Sequence, residues 1–301
     1  MNRWLAIAVV VVTMLSAGCS GPETVPPRET HSEPSTSETP QGRDEKRVID
    51  ALRRLDMCAV LQAAVGAGRE LRAYRPSECV TFDSAPEVEL RVARLAADKR
   101  TSMPAKDLGG AKAYVQGSTS ECLVQLPVSA DLVIVFGTND VCAKLEPLAA
   151  QAVPLLNRPA TLEGEPRWDA CTVLREAPNV APGPDENVDH CTDTKTLASF
   201  EFRYATPGGA ETGWRRSTVD GVEVSTLDDR DPDAPSCTSD WSIGPAVSDH
   251  ADGEFVARVR AIDCAKVTPL VAPLVAALKQ KPDAGDPQRP LLYAPGEPDH
   301  P

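Results

Sequence analysis

The chain has 301 residues, enough for two domains of ordinary size, yet only 4% are aromatic while 28 are proline. A core of Ala, Val and Leu buries little area per side chain, so covalent cross-links matter to such a fold. The formal net charge of −13 repels phosphate backbones and excludes nucleic acid as a partner; a polybasic patch for a membrane surface is also absent.

In chain order, Arg3 is a positive start and residues 5–15 form an apolar run. That run is too short to span a bilayer comfortably, so residues 1–18 read as a removed export signal. Its end, Leu15-Ser16-Ala17-Gly18-Cys19, resembles the lipobox of bacterial lipoproteins. The resemblance implies cleavage before Cys19 and acyl chains, palmitate among them, on its thiol and new amino terminus. It therefore implies a lipid anchor on the extracytoplasmic face of the cell membrane, held by acyl chains rather than by surface charge. The bland alternative is an ordinary signal peptide with an incidental cysteine. Residues 19–46 are rich in Pro, Ser, Thr and Glu, and read as a disordered tether with an r.m.s. span of roughly 30 Å.

Two copies of one unit follow, over residues 47–157 and 158–281. Asp56-Met57-Cys58-Ala59-Val60-Leu61 matches Asp169-Ala170-Cys171-Thr172-Val173-Leu174, and Cys142-Ala143-Lys144-Leu145 matches Cys264-Ala265-Lys266-Val267. Each copy holds four cysteines in the same order: Cys58, Cys79, Cys122 and Cys142, then Cys171, Cys191, Cys237 and Cys264. The offsets between equivalent cysteines are 113, 112, 115 and 122, so insertions collect late in the second copy.

Within the first copy, apolar spacing predicts a helix over 50–65 and alternation predicts a strand over 87–93. Gly109-Gly110 marks a turn before another strand at 111–116. Residues 122–128 and 132–136 read as a hairpin, and 141–156 as a closing helix that Pro154 should kink or end. The second copy repeats the order, with strands at 199–204, 221–227, 237–243 and 255–262 and a helix from 264 to about 279. Residues 282–301 are proline-rich with little to pack, and read as a loose, disordered tail. The fold class is α+β, each unit a helix, an antiparallel sheet and a second helix.

Eight cysteines remain in an exported chain once Cys19 is set aside, an even number that favours disulfides over metal ligation or free thiols. The third cysteine of each copy opens a strand and the fourth follows the next antiparallel strand, so hairpin geometry predicts Cys122–Cys142 and Cys237–Cys264. The remaining pairs are Cys58–Cys79 and Cys171–Cys191. No C-x-x-C and no Cys/His cluster at ligand spacing argues for a metal site, and no cofactor is expected.

The lipobox, the tether, the Asp-x-Cys-x-x-Leu opening and the Cys-Ala-Lys start of the last helix resemble a family of actinobacterial cell-envelope lipoproteins built on a domain of unknown function. To a lesser degree the layout is similar to the extracellular sensor domains of mycobacterial receptor kinases. The resemblance covers residues 47 to about 281 and implies an extracytoplasmic α+β domain with no activity to carry over. The duplication departs from that family, whose members often hold a single unit.

Catalytic chemistry finds little support. His190 and His250 are the only histidines in the folded region, and both read better as structural or solvated; no G-x-S-x-G, H-E-x-x-H or phosphate-binding glycine loop is present. The acidic run Asp228-Asp229-Arg230-Asp231-Pro232-Asp233 lacks EF-hand spacing and reads as a solvated loop rather than a Ca²⁺ site. The copies differ in charge: 13 basic and 13 acidic side chains in residues 47–157, against 13 and 21 in 158–282, so a cationic partner suits the second half. The expected function is non-catalytic binding or sensing of a small molecule, lipid or wall fragment at the cell envelope. The alternatives are docking of another envelope protein, or a hydrolase using His190 or His250. A sizeable apolar pocket would favour the first, and an exposed apolar patch the second.

Overall fold

A computed structural model describes residues 43–299, apart from 83–85, 160–161, 184–186, 210–211 and 232. The expected signal segment, the expected acylation site Cys19 and the expected tether up to residue 42 lie outside the described residues. Among the described residues no helix is long and apolar enough to cross a membrane.

Aspartates set most helix starts, because a short carboxylate satisfies amides that the first turn leaves open. Asp44 caps α1 (Glu45–Leu52) and Asp56 caps α2 (Met57–Val65). Asp169 caps α5 (Ala170–Arg175) and Asp263 caps α6 (Cys264–Leu278). The single helix expected over 50–65 is thus two. The chain turns at Arg53–Leu55, and Asp56 Oδ1 restarts it by accepting from the amides of Cys58 and Ala59 at 2.9 and 3.1 Å. The apolar spacing runs through the break because both helices turn the same side to the core. Ordered structure also begins earlier than the expected tether boundary at 46.

The first sheet contains β1 (Leu71–Arg75), β2 (Glu78–Thr81), β3 (Val88–Arg94), β4 (Ala105–Leu108), β5 (Ala111–Gly117), β6 (Cys122–Pro127) and β7 (Leu132–Thr138). Their order is β1-β2-β3-β7-β6-β5-β4. The short α3 (Ala97–Arg100) follows β3, and α4 (Cys142–Asn157) packs with α2 on the sheet. Pro154 does not end α4, which runs three residues further. The second sheet contains β8 (His190–Thr192), β9 (Ser199–Ala205), β10 (Arg215–Val219), β11 (Val222–Asp229), β12 (Ser236–Pro245) and β13 (Glu254–Ala261). Its order is β10-β11-β12-β13-β9-β8. Matched strand for strand, the two sheets are the same antiparallel arrangement, with β1 an extra edge strand in the first. The α+β duplication is therefore visible in the topology.

The four disulfides are Cys58–Cys79, Cys122–Cys142, Cys171–Cys191 and Cys237–Cys264, two expected from the hairpins and two as the pairs that remained. Gly117 lies opposite Cys122, and a Cβ there would collide with Cys142 Sγ, so only glycine lets β5 pass this disulfide.

One continuous apolar core runs through both copies. The seam between them is built in part by the insertion that the cysteine spacing exposes. Cys122 and Cys142 are 20 residues apart, Cys237 and Cys264 27, so the β12–β13 hairpin is seven residues longer than its equivalent. Its turn reaches β1, where Ala73 N–H donates to the His250 carbonyl at 2.9 Å. Arg75 pairs with Glu201 at 2.8 Å across the same seam, and the amide of Ser77 donates to the buried carboxylate of Asp189 at 2.6 Å.

The tail is not loose. After α6 it returns to the first copy: the Asp286 amide donates to Asp50 Oδ2 at 3.0 Å, the Gln288 amide to the Arg47 carbonyl at 2.8 Å, and the Leu292 amide to Asn157 Oδ1 at 2.9 Å. Leu291, Leu292 and Tyr293 are buried, and the Arg43 guanidinium stacks 3.9 Å from the Tyr293 ring. Prolines keep this segment extended and lower the entropy lost on docking. Gly285 is the close approach in this return. Its φ is +63°, and a Cβ would overlap the Asp50 carboxylate, itself fixed by Lys46 and Arg53. Gly285→Ala is expected to destabilise the chain by about 1–3 kcal/mol, read as a lower urea midpoint.

Two candidate ligand clefts sharing Trp168

Residues 162–167 of the linker between the copies are hydrogen-bonded to the turn separating α1 from α2. The Asp56 amide donates to the Leu162 carbonyl at 3.0 Å, Gly164 N–H to Arg54 O at 2.9 Å and Arg167 N–H to Arg53 O at 3.1 Å. Arg53 Nη1 returns a bond to Arg167 O at 2.7 Å, and Arg167 Nη2 reaches Leu55 O at 2.9 Å. These bonds fix the next residue, Trp168. Its ring lies 6.4 Å from both Phe202 and Phe255. Phe200, Tyr204 and Trp241 extend the cluster, with Phe200 edge-on to Phe202 at 5.1 Å. Aromatics are scarce in this chain, and six of them gather here, in the second copy and next to the seam.

Trp168 lines two clefts. The sheet-side cleft, about 460 Å³, is walled by Trp168, Ile243, Val247, Phe255 and Leu278, with Arg167, Lys279 and Lys281 at its polar margin. Ile243 and Val247 belong to the long β12–β13 hairpin, so the insertion that helps make the seam also makes this wall. The helix-side cleft, about 400 Å³, lies between α1, α5 and the start of the tail. Ile49, Trp168, Val173 and Pro282 are its apolar walls, and Lys46, Asp50, Arg53 and Asp169 its polar ones. Both volumes fall in the range of small-molecule sites.

Charge in the helix-side cleft is strongly organised. Burial works to raise the pKa of Asp50, but the Asp286 amide, Lys46 and Arg53 outweigh it and hold this carboxyl below its ordinary value. Burial pushes the Asp169 carboxyl up, against the hydroxyl and amide of Thr172. Disulfides steady the frame: Cys171–Cys191 ties down α5, which carries Thr172 and Val173, and Cys237–Cys264 ties down α6, which ends at Leu278.

The histidines and the acidic run are placed away from these clefts' walls. His190 is on β8, opposite Glu201 in the β8–β9 ladder. His250 is in the β12–β13 turn, engaged through its own amide and carbonyl. Asp228 of the acidic run is bound by Arg230 at 2.9 Å and faces Arg215 at 3.6 Å, while Asp229 and Asp231 accept backbone amides two residues on. Among the described residues no group of three or more His, Cys, Asp or Glu side chains is placed to hold a metal ion. No motif in the sequence marks Trp168 and Asp169 for a binding role. Their one signal is a lone aromatic directly before the second Asp-x-Cys motif.

No family model matches the chain, and no curated protein matches it. Among solved structures, the immunity protein TplEi of T6SS from Pseudomonas aeruginosa, complexed with "L" peptide, aligns over 68% of this chain and 97% of its own. Its identity is 11% and its TM-score 0.26, a level of likeness that carries no argument about this chain.

Proposed function

We propose that this protein is a non-catalytic binding protein of the cell envelope, held at the extracytoplasmic face of the membrane by acyl chains on Cys19. In this reading the seam around Trp168 takes a small ligand with an apolar part. The observation that carries it is the sheet-side cleft: an apolar concavity of about 460 Å³, backed by an aromatic cluster in a chain otherwise poor in aromatics. Four disulfides suit an oxidising compartment, in line with the export signal.

The test is native mass spectrometry of the chain released from its own membrane in mild detergent. The expected result is a diacyl or triacyl mass on Cys19, four disulfides and a co-purifying small molecule. Val247→Asp puts a charge in the cleft wall at a position already half-exposed, so it spares the core and is expected to strip the bound mass. The same covalent state with no bound mass would favour docking of another envelope protein instead. An unacylated chain would overturn the anchor.

A further inference from the structure

Asp56 and Asp169 hold the same place in the two copies, each capping the helix that carries the first cysteine. They differ in what their carboxylates meet. Asp169 Oδ1 accepts from the Thr172 amide at 2.6 Å, but Oδ2 is buried with no hydrogen-bond partner among the described residues. Asp169 is 8% exposed and lines the helix-side cleft. A buried acceptor without a donor carries its full desolvation penalty, so the position favours any group that brings an N–H to it. Arg53 and Arg175 favour the Asp169 carboxylate through space, but neither donates a hydrogen bond to Oδ2 among the described residues. Lys46 and Arg53 hold Asp50 at 3.1 and 3.0 Å, and Arg175 Nη1 is 3.4 Å from Thr172 Oγ1. Burial also raises the Asp169 pKa, an unfavourable state for the carboxylate that a cation at Oδ2 would relieve.

We propose that the helix-side cleft binds a small primary amine, its ammonium donating to Asp169 Oδ2 and its apolar body lying against Trp168, Ile49 and Val173. This rests on the reading of the Trp168 seam as a ligand site and adds the chemical class. A charge-assisted hydrogen bond supplies the polar end and the apolar walls supply the rest. A neutral isostere of the same shape keeps only the apolar part.

The experiment titrates the full chain with 4-fluorophenethylamine and with 2-(4-fluorophenyl)ethanol, followed by fluorine NMR. The amine is expected to bind at least about tenfold more tightly than the alcohol. Asp169→Asn keeps an equally good helix cap, so the variant is expected to stay folded while losing the preference for the amine. Equal binding of both probes, unchanged by Asp169→Asn, overturns the amine assignment and leaves the wider ligand reading standing. Binding of neither probe also overturns it, and the presence or absence of a co-purifying mass then decides whether the wider reading falls too.

Discussion

Replacing Asp299 with alanine is expected to cost about 3–5 kcal/mol, the range found when one partner of a buried ion pair is removed. Asp299 is 1% exposed. It faces Lys112 Nζ at 3.2 Å, Arg100 Nε at 3.7 Å and the Tyr114 hydroxyl at 3.0 Å. Removing its carboxylate leaves two cations buried under the tail, and Arg100 already has Nη1 without a hydrogen-bond partner among the described residues. The loss is a large fraction of a domain's usual net stability of about 5–15 kcal/mol. Urea unfolding of Asp299→Ala and Asp299→Asn separates charge from hydrogen bonding, since the amide keeps part of the latter. The pH dependence has a definite sign. Burial raises the Asp299 pKa, but Lys112, Arg100 and Tyr114 outweigh it, so the folded value lies below the ordinary one. A depressed carboxyl stabilises the fold above its unfolded pKa of about 3.9, and that contribution fades as pH falls through the folded value. The stability gap between the native chain and Asp299→Asn should therefore be constant from neutral pH down to about pH 5 and close under stronger acid.

This dependence on the tail was the least legible part of the sequence. Residues 291–293 are a run of three apolar residues among prolines, too short for any periodicity, and their partner surface is more than a hundred residues away. Edge strands were hidden for a related reason. β10, Arg215–Val219, has no buried side chain, so no alternation marks it, and β1 is a five-residue edge strand paired with β2 and reached on its other side by an inserted turn. Strands that bury one full face were readable in advance: β9 alternates without a break, and β6 and β7 flank a short turn. Two cysteine pairs were readable because hairpins bring the ends of adjacent antiparallel strands together whatever the side chains are, and the other two were then the pairs that remained. The clefts sit between these cases. The late insertion was visible as a change in cysteine spacing, but what it built was not, because a seam depends on where two copies dock. The opening of α2 and that of α5 read alike, and only packing distinguishes a half-buried Asp56 from an Asp169 whose second oxygen is buried.

That likeness between the copies permits a matched pair of variants with the second large expected effect. Cys58–Cys79 and Cys171–Cys191 close loops of 21 and 20 residues, and each is buried within 1%. In the chain-entropy model each contributes roughly 3 kcal/mol, so the two double Cys→Ser variants should lose similar stability. Their local consequences should differ. α2 has nine residues and packs against α4, which steadies it after its disulfide is removed. α5 has six residues, too few to persist without tertiary support, and Cys171 is its second residue. Loss of Cys171–Cys191 should therefore loosen α5, release Asp169 from its cap and abolish any preference of the helix-side cleft for an amine. Loss of Cys58–Cys79 should leave that preference intact at temperatures where the variant stays folded. Urea unfolding together with the fluorine NMR titration reads both quantities on the same samples. Equal loss of ligand preference in the two variants would mean that the cleft depends on global stability alone and that Cys171–Cys191 has no local role in shaping it. The native chain offers a check without mutation. Cys142 and Cys264 are partly exposed while the other six disulfide cysteines are buried, so a mild thiol reductant should open Cys122–Cys142 and Cys237–Cys264 first, leaving the pairs at α2 and α5 closed until the fold opens.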